Sequence, residues 1–185
     1  MQEVLLTTDA ILNAFATADG VLPRAALTQA RNRWPEVAPA LLALLQAAAD
    51  RGARSERSEA ILFYAIYLVA QVRETRAHRA LCAIAADGER ASDLIGDGLT
   101  EDFGLILART YDGDPAGLRS VIEAAGADEF ARDAAFVALA WLTATGRIDR
   151  DDTAGYLRHL HTTLQPQGPC WIWVAWQRAI ASLGL

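Results

Sequence analysis

The sequence predicts an all-α protein, a short right-handed α-solenoid of antiparallel helix pairs (an α-α superhelix), and three observations carry that expectation. First, residues 60–70 are apolar throughout, from Ala60, Ile61, Leu62 and Phe63 to Val69 and Ala70. That run is too short to span a bilayer, which takes about 20 residues, and it lacks period-two alternation, so it reads as a helix buried nearly all round. Second, the polar break Arg73-Glu74-Thr75-Arg76 is followed by Ala77, Ala80, Leu81, Ile84 and Ala85 along one helical stripe. A hairpin with one buried and one half-exposed member needs neighbours of its own kind. Third, apolar helices centred on Tyr67, Ile106 and Leu139 recur at intervals of 39 and 33 residues, each followed by a shorter amphipathic helix. No segment reads as a convincing strand.

In chain order, Thr8 is expected to cap a first helix with Ile11, Phe15 and Ala18 on one side, ended by Asp19-Gly20. Pro23 opens a second helix that Pro35 stops after Trp34, and a third runs from Glu36 to Ala49 with Leu41, Leu44, Leu45 and Ala48 as its stripe. Residues 51–57 read as a polar loop. After the central hairpin, residues 87–98 read as a loop with a short helix over 92–95. Thr100 caps the next helix, whose first turn holds Glu101 and Asp102 and whose stripe is Phe103, Ile106, Leu107 and Thr110. Asp114 caps the following one, with Pro115 as its first residue and Leu118, Val121, Ile122 and Ala125 inward. Asp128 starts a long helix ended by Gly146, with Phe130, Ala134, Val137, Ala138, Trp141 and Leu142 on its buried side. Asp151 and Asp152 begin another, carrying Leu157, Leu160 and Leu164. Residues 165–185 are a C-terminal capping helix behind a short Pro/Gly linker, with Ile172, Ala175, Trp176, Ala179, Ile180 and Leu183 facing in.

At 185 residues and 52% hydrophobic, the chain is expected to form one domain, residues 1–185, with a substantial core. Thr7, Thr8 and Asp9 interrupt the early apolar residues, so no leader pattern is read and a cytoplasmic protein without a membrane segment is expected. All 17 basic residues are arginine, which excludes a Schiff-base lysine and a phosphate-loop lysine. The net charge of -6 argues against nucleic acid as a partner. Between Asp87 and Asp114 eight acids face two arginines, so that this one segment carries the whole imbalance. Cys82 and Cys170 have no Cys or His partner at metal-ligand spacing and read as buried free thiols.

Residues 72–81, Val72-Arg73-Glu74-Thr75-Arg76-Ala77-His78-Arg79-Ala80-Leu81, resemble the turn of HEAT-like repeats, and Ala131-Arg132-Asp133-Ala134-Ala135 looks like the start of another such unit. A broader resemblance, over roughly residues 22–164, is to the bacterial family catalogued as domain of unknown function 1186. It rests on Leu22-Pro23-Arg24 with Trp34, residues 63–68 with Arg73-Glu74-Thr75-Arg76, Gly96-Asp97, Thr100-Glu101-Asp102, Tyr111-Asp112-Gly113-Asp114, and Asp128-Glu129-Phe130 with Arg132. The resemblance implies an all-helical, HEAT-like protein and imports no activity. Some members carry a C-terminal cysteine-rich zinc motif; this chain has only Cys170 there, so no zinc and no other cofactor is inferred.

The acids Asp97, Glu101, Asp102, Asp112 and Asp114, with Thr100, form the candidate binding patch, suited to a basic protein or peptide; capping and dipole pairing is the plainer use of such residues. A calcium loop over residues 112–123 fails at its fifth position, Ala116, and Pro115 already places a helix there. Arg73, Arg76 and Arg79 form a second, basic patch able to grip phosphate or carboxylate, although ion pairs between neighbouring units account for them better. His159 and His161 lie on different sides of their helix, and His78 falls in a turn, so no catalytic residue is assigned. The expected function is a noncatalytic protein-interaction module. The alternatives are a divalent-metal hydrolase using the same acids and a homo-oligomer formed through the helix of Trp171, Trp173 and Trp176.

Overall fold

The computed structural model describes residues 5–52, 54–164 and 171–185, and the described residues are helical with no strand. Twelve α-helices follow in order: α1 (Thr8–Ala16), α2 (Arg24–Asn32), α3 (Trp34–Ala49), α4 (Glu56–Val72), α5 (His78–Ala86), α6 (Gly88–Ile95), α7 (Gly98–Glu101), α8 (Phe103–Thr110), α9 (Ala116–Glu123), α10 (Glu129–Ala144), α11 (Arg150–Thr163) and α12 (Trp171–Leu183).

Side-chain oxygens of short polar residues start many of these helices by satisfying orphan backbone N–H groups. The first cap is Thr7 rather than Thr8, its hydroxyl accepting from the Ala10 amide. Pro35 does not stop a helix; it sits in the first turn of α3, where a missing N–H costs nothing. Ser55 and Ser58 form a capping box at the start of α4. Arg73 ends α4 in the left-handed region at φ 58°, and a single 3₁₀ turn, Thr75–Ala77, leads into α5. All five stripe residues expected on α5 are buried, from Ala77 to Ala85.

In the segment read as a loop with a short helix over 92–95, the helix is longer: α6 runs over Gly88–Ile95, capped by Asp87 and burying Ala91, Leu94 and Ile95 at i, i+3 and i+4. Thr100 is not a cap but lies inside α7, its hydroxyl donating to the Asp97 carbonyl. Asp114 does cap α9, accepting from the Ala116 amide at 3.0 Å, and Asp128 caps α10 through the Phe130 amide. Asp149, two residues before the expected start at Asp151, caps α11. The linker expected over residues 165–170 lies outside the described residues.

Helices α4, α8, α10 and α12 pack side by side, and α3, α5 and α9 form a second succession of contacts. Between them lies the main core, which includes the fully buried Phe103, Phe136, Leu81, Ile84, Leu107 and Leu118. A smaller core joins α1 and α2 to α3 and α4 through Ile11, Phe15, Ala30, Leu41 and Leu68. Trp34 packs against both cores, and its Nε1–H donates to Glu74 Oε2 at 2.8 Å.

The buried sides of α4 and α10 differ from expectation. Phe63 on α4 is 46% exposed, and on α10 Val137 is 43% and Trp141 44% exposed. Each helix has one side that no neighbour covers, and a continuous apolar run does not mark which side that is.

Candidate functional site

The expected acidic patch is split in two by α8. Asp97, Glu101 and Asp102 stand at its N-terminal end, beside or within the four-residue α7, and all three are exposed. Asp112 and Asp114 follow its C-terminal end, about 12 Å away along eight helical residues. The sequence segment is continuous, but the helix axis separates its charges.

The two groups differ in what they touch. Asp112 Oδ2 accepts from Arg79 Nε at 3.1 Å, and Asp114 lies 3.7 Å from the same guanidinium. Asp112 Oδ1 also accepts the Asp114 amide. Burial pushes the Asp112 carboxyl up, but the Asp114 amide and Arg79 outweigh it and hold the carboxyl below its ordinary range. Arg79 of the expected basic patch is thus bound to two members of the acidic one. Arg76 binds Glu74, and Arg73 serves as the left-handed end of α4, so the three arginines form no shared anion grip. The Arg51, Arg54 and Arg57 side chains are likewise engaged, with Asp87, with Glu59 and Asp93, and with Asn13.

At the other end, Asp97, Glu101 and Asp102 take part in no salt bridge among the described residues. Tyr67 on α4 lies within electrostatic reach of Asp102 and Glu101. Its phenol is raised above its ordinary range by burial and then by the charges of Asp102 and Glu101. Tyr67 also fixes how closely α7 approaches, since a Cβ at Gly98 would lie 2.9 Å from its hydroxyl.

A pair that sequence reading missed lies in the core. Cys82 Sγ is 3.6 Å from His78 Nε2, one helical turn apart on α5, while His78 Nδ1 is 3.5 Å from Thr110 Oγ1. The i, i+4 spacing was the signal for it. Thr110 donates to the Ile106 carbonyl, so its oxygen accepts from Nδ1–H and leaves Nε2 to accept the thiol. Both side chains are buried, burial lowers the imidazole pKa, and burial, then Asp112, pushes the thiol up to about 12. A neutral thiol against a neutral imidazole is a packing arrangement, not an activated nucleophile.

His159 and His161 are exposed, and His161 stacks on Trp176 with ring centroids 5.3 Å apart. Trp173 and Trp176 are half-buried, Trp176 donating to the Leu157 carbonyl, while Trp171 is exposed. Cys170 lies outside the described residues. Among the described residues no group of three or more His, Cys, Asp or Glu side chains is arranged to hold a metal ion, and no helix is long and apolar enough to cross a membrane.

Comparison with protein families matches residues 6–183 to the family described as "Protein of unknown function (DUF1186)". The chain belongs to this family. Its DUF1186 match runs from before α1 to the last residue of α12 and so takes in both halves of the divided acidic segment. An uncharacterised protein of Chlamydia trachomatis serovar D is 30% identical over 176 residues, covering 94% of this chain and 68% of the relative. One of Chlamydia muridarum is 29% identical over the same length, covering 94% and 69%. No solved structure matches the chain.

Proposed function

We propose that residues 1–185 form a single HEAT-like α-solenoid that works as a noncatalytic protein-binding module, with Asp97, Glu101 and Asp102 taking a basic partner. The solenoid reading is supported by a bond that recurs along the stack. Arg109 donates to the Ala70 carbonyl at 2.8 Å, and Arg147, 38 positions on, donates to the Ala108 carbonyl at 3.2 Å, also 38 positions on. Stacks of this kind present long surfaces to partners.

The binding reading rests on how the charges are spent. Asp87, Asp93, Asp112, Asp133 and Asp152 each hold an arginine, whereas Asp97, Glu101 and Asp102 are exposed and hold none among the described residues. Carboxylates free of internal partners are the ones a cationic surface can engage without first breaking a bond. Asp112 and Asp114 fit this role less well because Arg79 occupies them.

Affinity capture from a bacterial lysate tests it, with the wild type beside the triple variant Asp97→Asn, Glu101→Gln, Asp102→Asn. A protein retained by the wild type alone and released as salt is raised supports the reading. Identical captures by the two proteins overturn it. Melting with and without calcium, magnesium or manganese addresses the metal-dependent alternative, since an ion bound only by the native state raises the midpoint.

A further inference from the structure

Within the described helices the exposed large apolar side chains are Phe63, Leu105, Val137, Trp141, Trp171 and Val174, and all six belong to α4, α8, α10 or α12. Helices α3, α5, α9 and α11 contribute none. The exposed large apolar residues of the helices therefore fall on one row of helices, and their pattern is regular. On α8 two buried residues precede Leu105 and three follow it; Val137 on α10 and the half-buried Tyr67 on α4 stand in the same frame. Tyr67, Leu105 and Val137 are thus equivalent positions on three adjacent helices, one from each.

Phe63, one turn before Tyr67, touches it with ring centroids 5.4 Å apart, and Trp141 extends the stripe one turn beyond Val137. Gly104 brings α8 and α10 into close contact next to Leu105, since a Cβ there would lie 2.9 Å from Val137 Cγ1. At about 8–10 Å between packed helices, the stripe from α4 to α10 is roughly 20 Å long, the span of about a dozen helical residues. It continues into a groove of about 290 Å³ between α10 and α12, lined by Val137, Trp141, Ala140 and Ala179 with Asp133 and Arg178.

Acids stand along part of the stripe, while the exposed Arg24 and Arg31 share a groove with Tyr67 at its α4 end. Asp97, Glu101 and Asp102 stand around its Tyr67–Leu105 portion, and Asp133 lies one turn before Val137. Asp133 gives one oxygen to Arg178, while its Oδ1 is buried without a partner. The cation one turn beyond Leu105, Arg109, is half-buried with its Nε–H bound to the Ala70 carbonyl. An apolar stripe of this length with acids along it complements one shape of ligand, a helix with an apolar face and basic residues beside it.

We propose that the exposed side shared by α4, α8 and α10 docks an amphipathic helix of a protein partner that carries basic residues along the edge of its apolar face. This rests on the binding-module reading above and adds the apolar surface and the form of the partner. Phe63, Leu105, Val137 and Trp141 seat the apolar face, and Asp97, Glu101 and Asp102 take the flanking cations.

The test uses a fluorescent peptide of about 18 leucines and lysines with leucine at i, i+3, i+4 and i+7, beside an isomer of the same composition shuffled to have no apolar face. Binding to the full chain is read by anisotropy, with light scattering to follow association of the protein itself. The wild type is expected to bind the amphipathic peptide and to discriminate against its isomer by about tenfold. Both the pair Leu105→Ser, Val137→Ser and the pair Glu101→Gln, Asp102→Asn are expected to weaken it by about tenfold. These substitutions fall on exposed side chains, and unchanged melting verifies the fold. Loss in the acidic pair alone, or equal binding of both isomers, overturns the docked helix while leaving an acidic binding module in place. Unchanged binding in both pairs, or none by the wild type, overturns both readings. A concentration-dependent dimer that Leu105→Ser, Val137→Ser disperses assigns the stripe to a second copy of the chain and overturns the proposal.

Discussion

Arg109 of α8 places its Nε–H 2.8 Å from the carbonyl oxygen of Ala70, near the end of α4. That carbonyl belongs to the last turn of a helix, where it accepts the capping Arg73 amide at 3.2 Å, and a side chain from the neighbouring helix supplies a second bond. The same bond recurs between Arg147 and the Ala108 carbonyl, and Arg147 also reaches the Tyr111 carbonyl. Arginine suits the role because its several donors lie in one rigid plane. Replacing Arg109 with methionine keeps the apolar stem and removes the donors. The protein should lose about 0.5–1.5 kcal/mol in urea unfolding, the net worth of one hydrogen bond, because the buried Ala70 carbonyl keeps the Arg73 amide.

Two glycines should respond to alanine in opposite directions. A Cβ at Gly88, the first residue of α6, would lie 2.5 Å from the Gly126 carbonyl oxygen and 2.9 Å from the Asp128 nitrogen. Both are backbone atoms, so Gly88→Ala must push α6 away from the start of α10 and should cost about 1–3 kcal/mol. Gly155, exposed within α11, has nothing within 4 Å of that position. Gly155→Ala should stabilise by about 0.5–1 kcal/mol through helix propensity. Thermal melting of the two variants reads both signs.

Stability should fall in acid partly through Glu74. Its hydrogen bond from Arg76 holds the carboxyl down at about 2, with burial opposing and Trp34 assisting. A group whose folded pKa is depressed contributes stability above its unfolded value, near 4.5, and loses it as pH falls toward 2. Glu74→Gln should therefore be less stable than the wild type at neutral pH, with the difference shrinking between those limits. His78 acts in the same direction at higher pH. Burial lowers its pKa, so the native state resists protonation and its contribution is lost as pH falls below the unfolded value of about 6.5. Urea titrations across this range resolve the two steps.

The Cys82 thiol should be silent in the folded protein. It is buried against His78 and pushed up to about 12, so neither access nor thiolate is supplied. In a Cys170→Ser background, a thiol reagent should modify Cys82 no faster than the protein opens. Rapid native labelling would show that α5 separates from α9, whose Gly117 faces this thiol.

Elements with a strong stripe and a clear cap were readable directly, as α5 and α9 illustrate through Ala77 to Ala85 and through Asp114. Only the last turn of α6, over 92–95, was legible, because its glycine start and charged residues mask the Ala91, Leu94 and Ile95 stripe. Thr100 was misassigned because a cap is defined by extended backbone, and here the chain is already helical at Asp97. The acidic patch was legible as composition, whereas the division of its charges along α8 was not. Acids of one sequence segment stand at opposite ends of α8, and Arg79, 33 positions before Asp112, claims one of the two groups.

By itself the sequence determined that the chain is helical, and it located most helix boundaries, since stripes and caps depend on residues within a turn or two of each other. It also determined where the negative charge lies along the chain. The tertiary structure alone decided which side of α4 and α10 stays open to solvent, leaving Phe63, Val137 and Trp141 outside. It likewise decided which carboxylates are held by arginine and which, among the described residues, are not. Those outcomes depend on partners some 30 to 45 positions away, such as Arg79 with Asp112 and Arg178 with Asp133, brought together only when the helices pack.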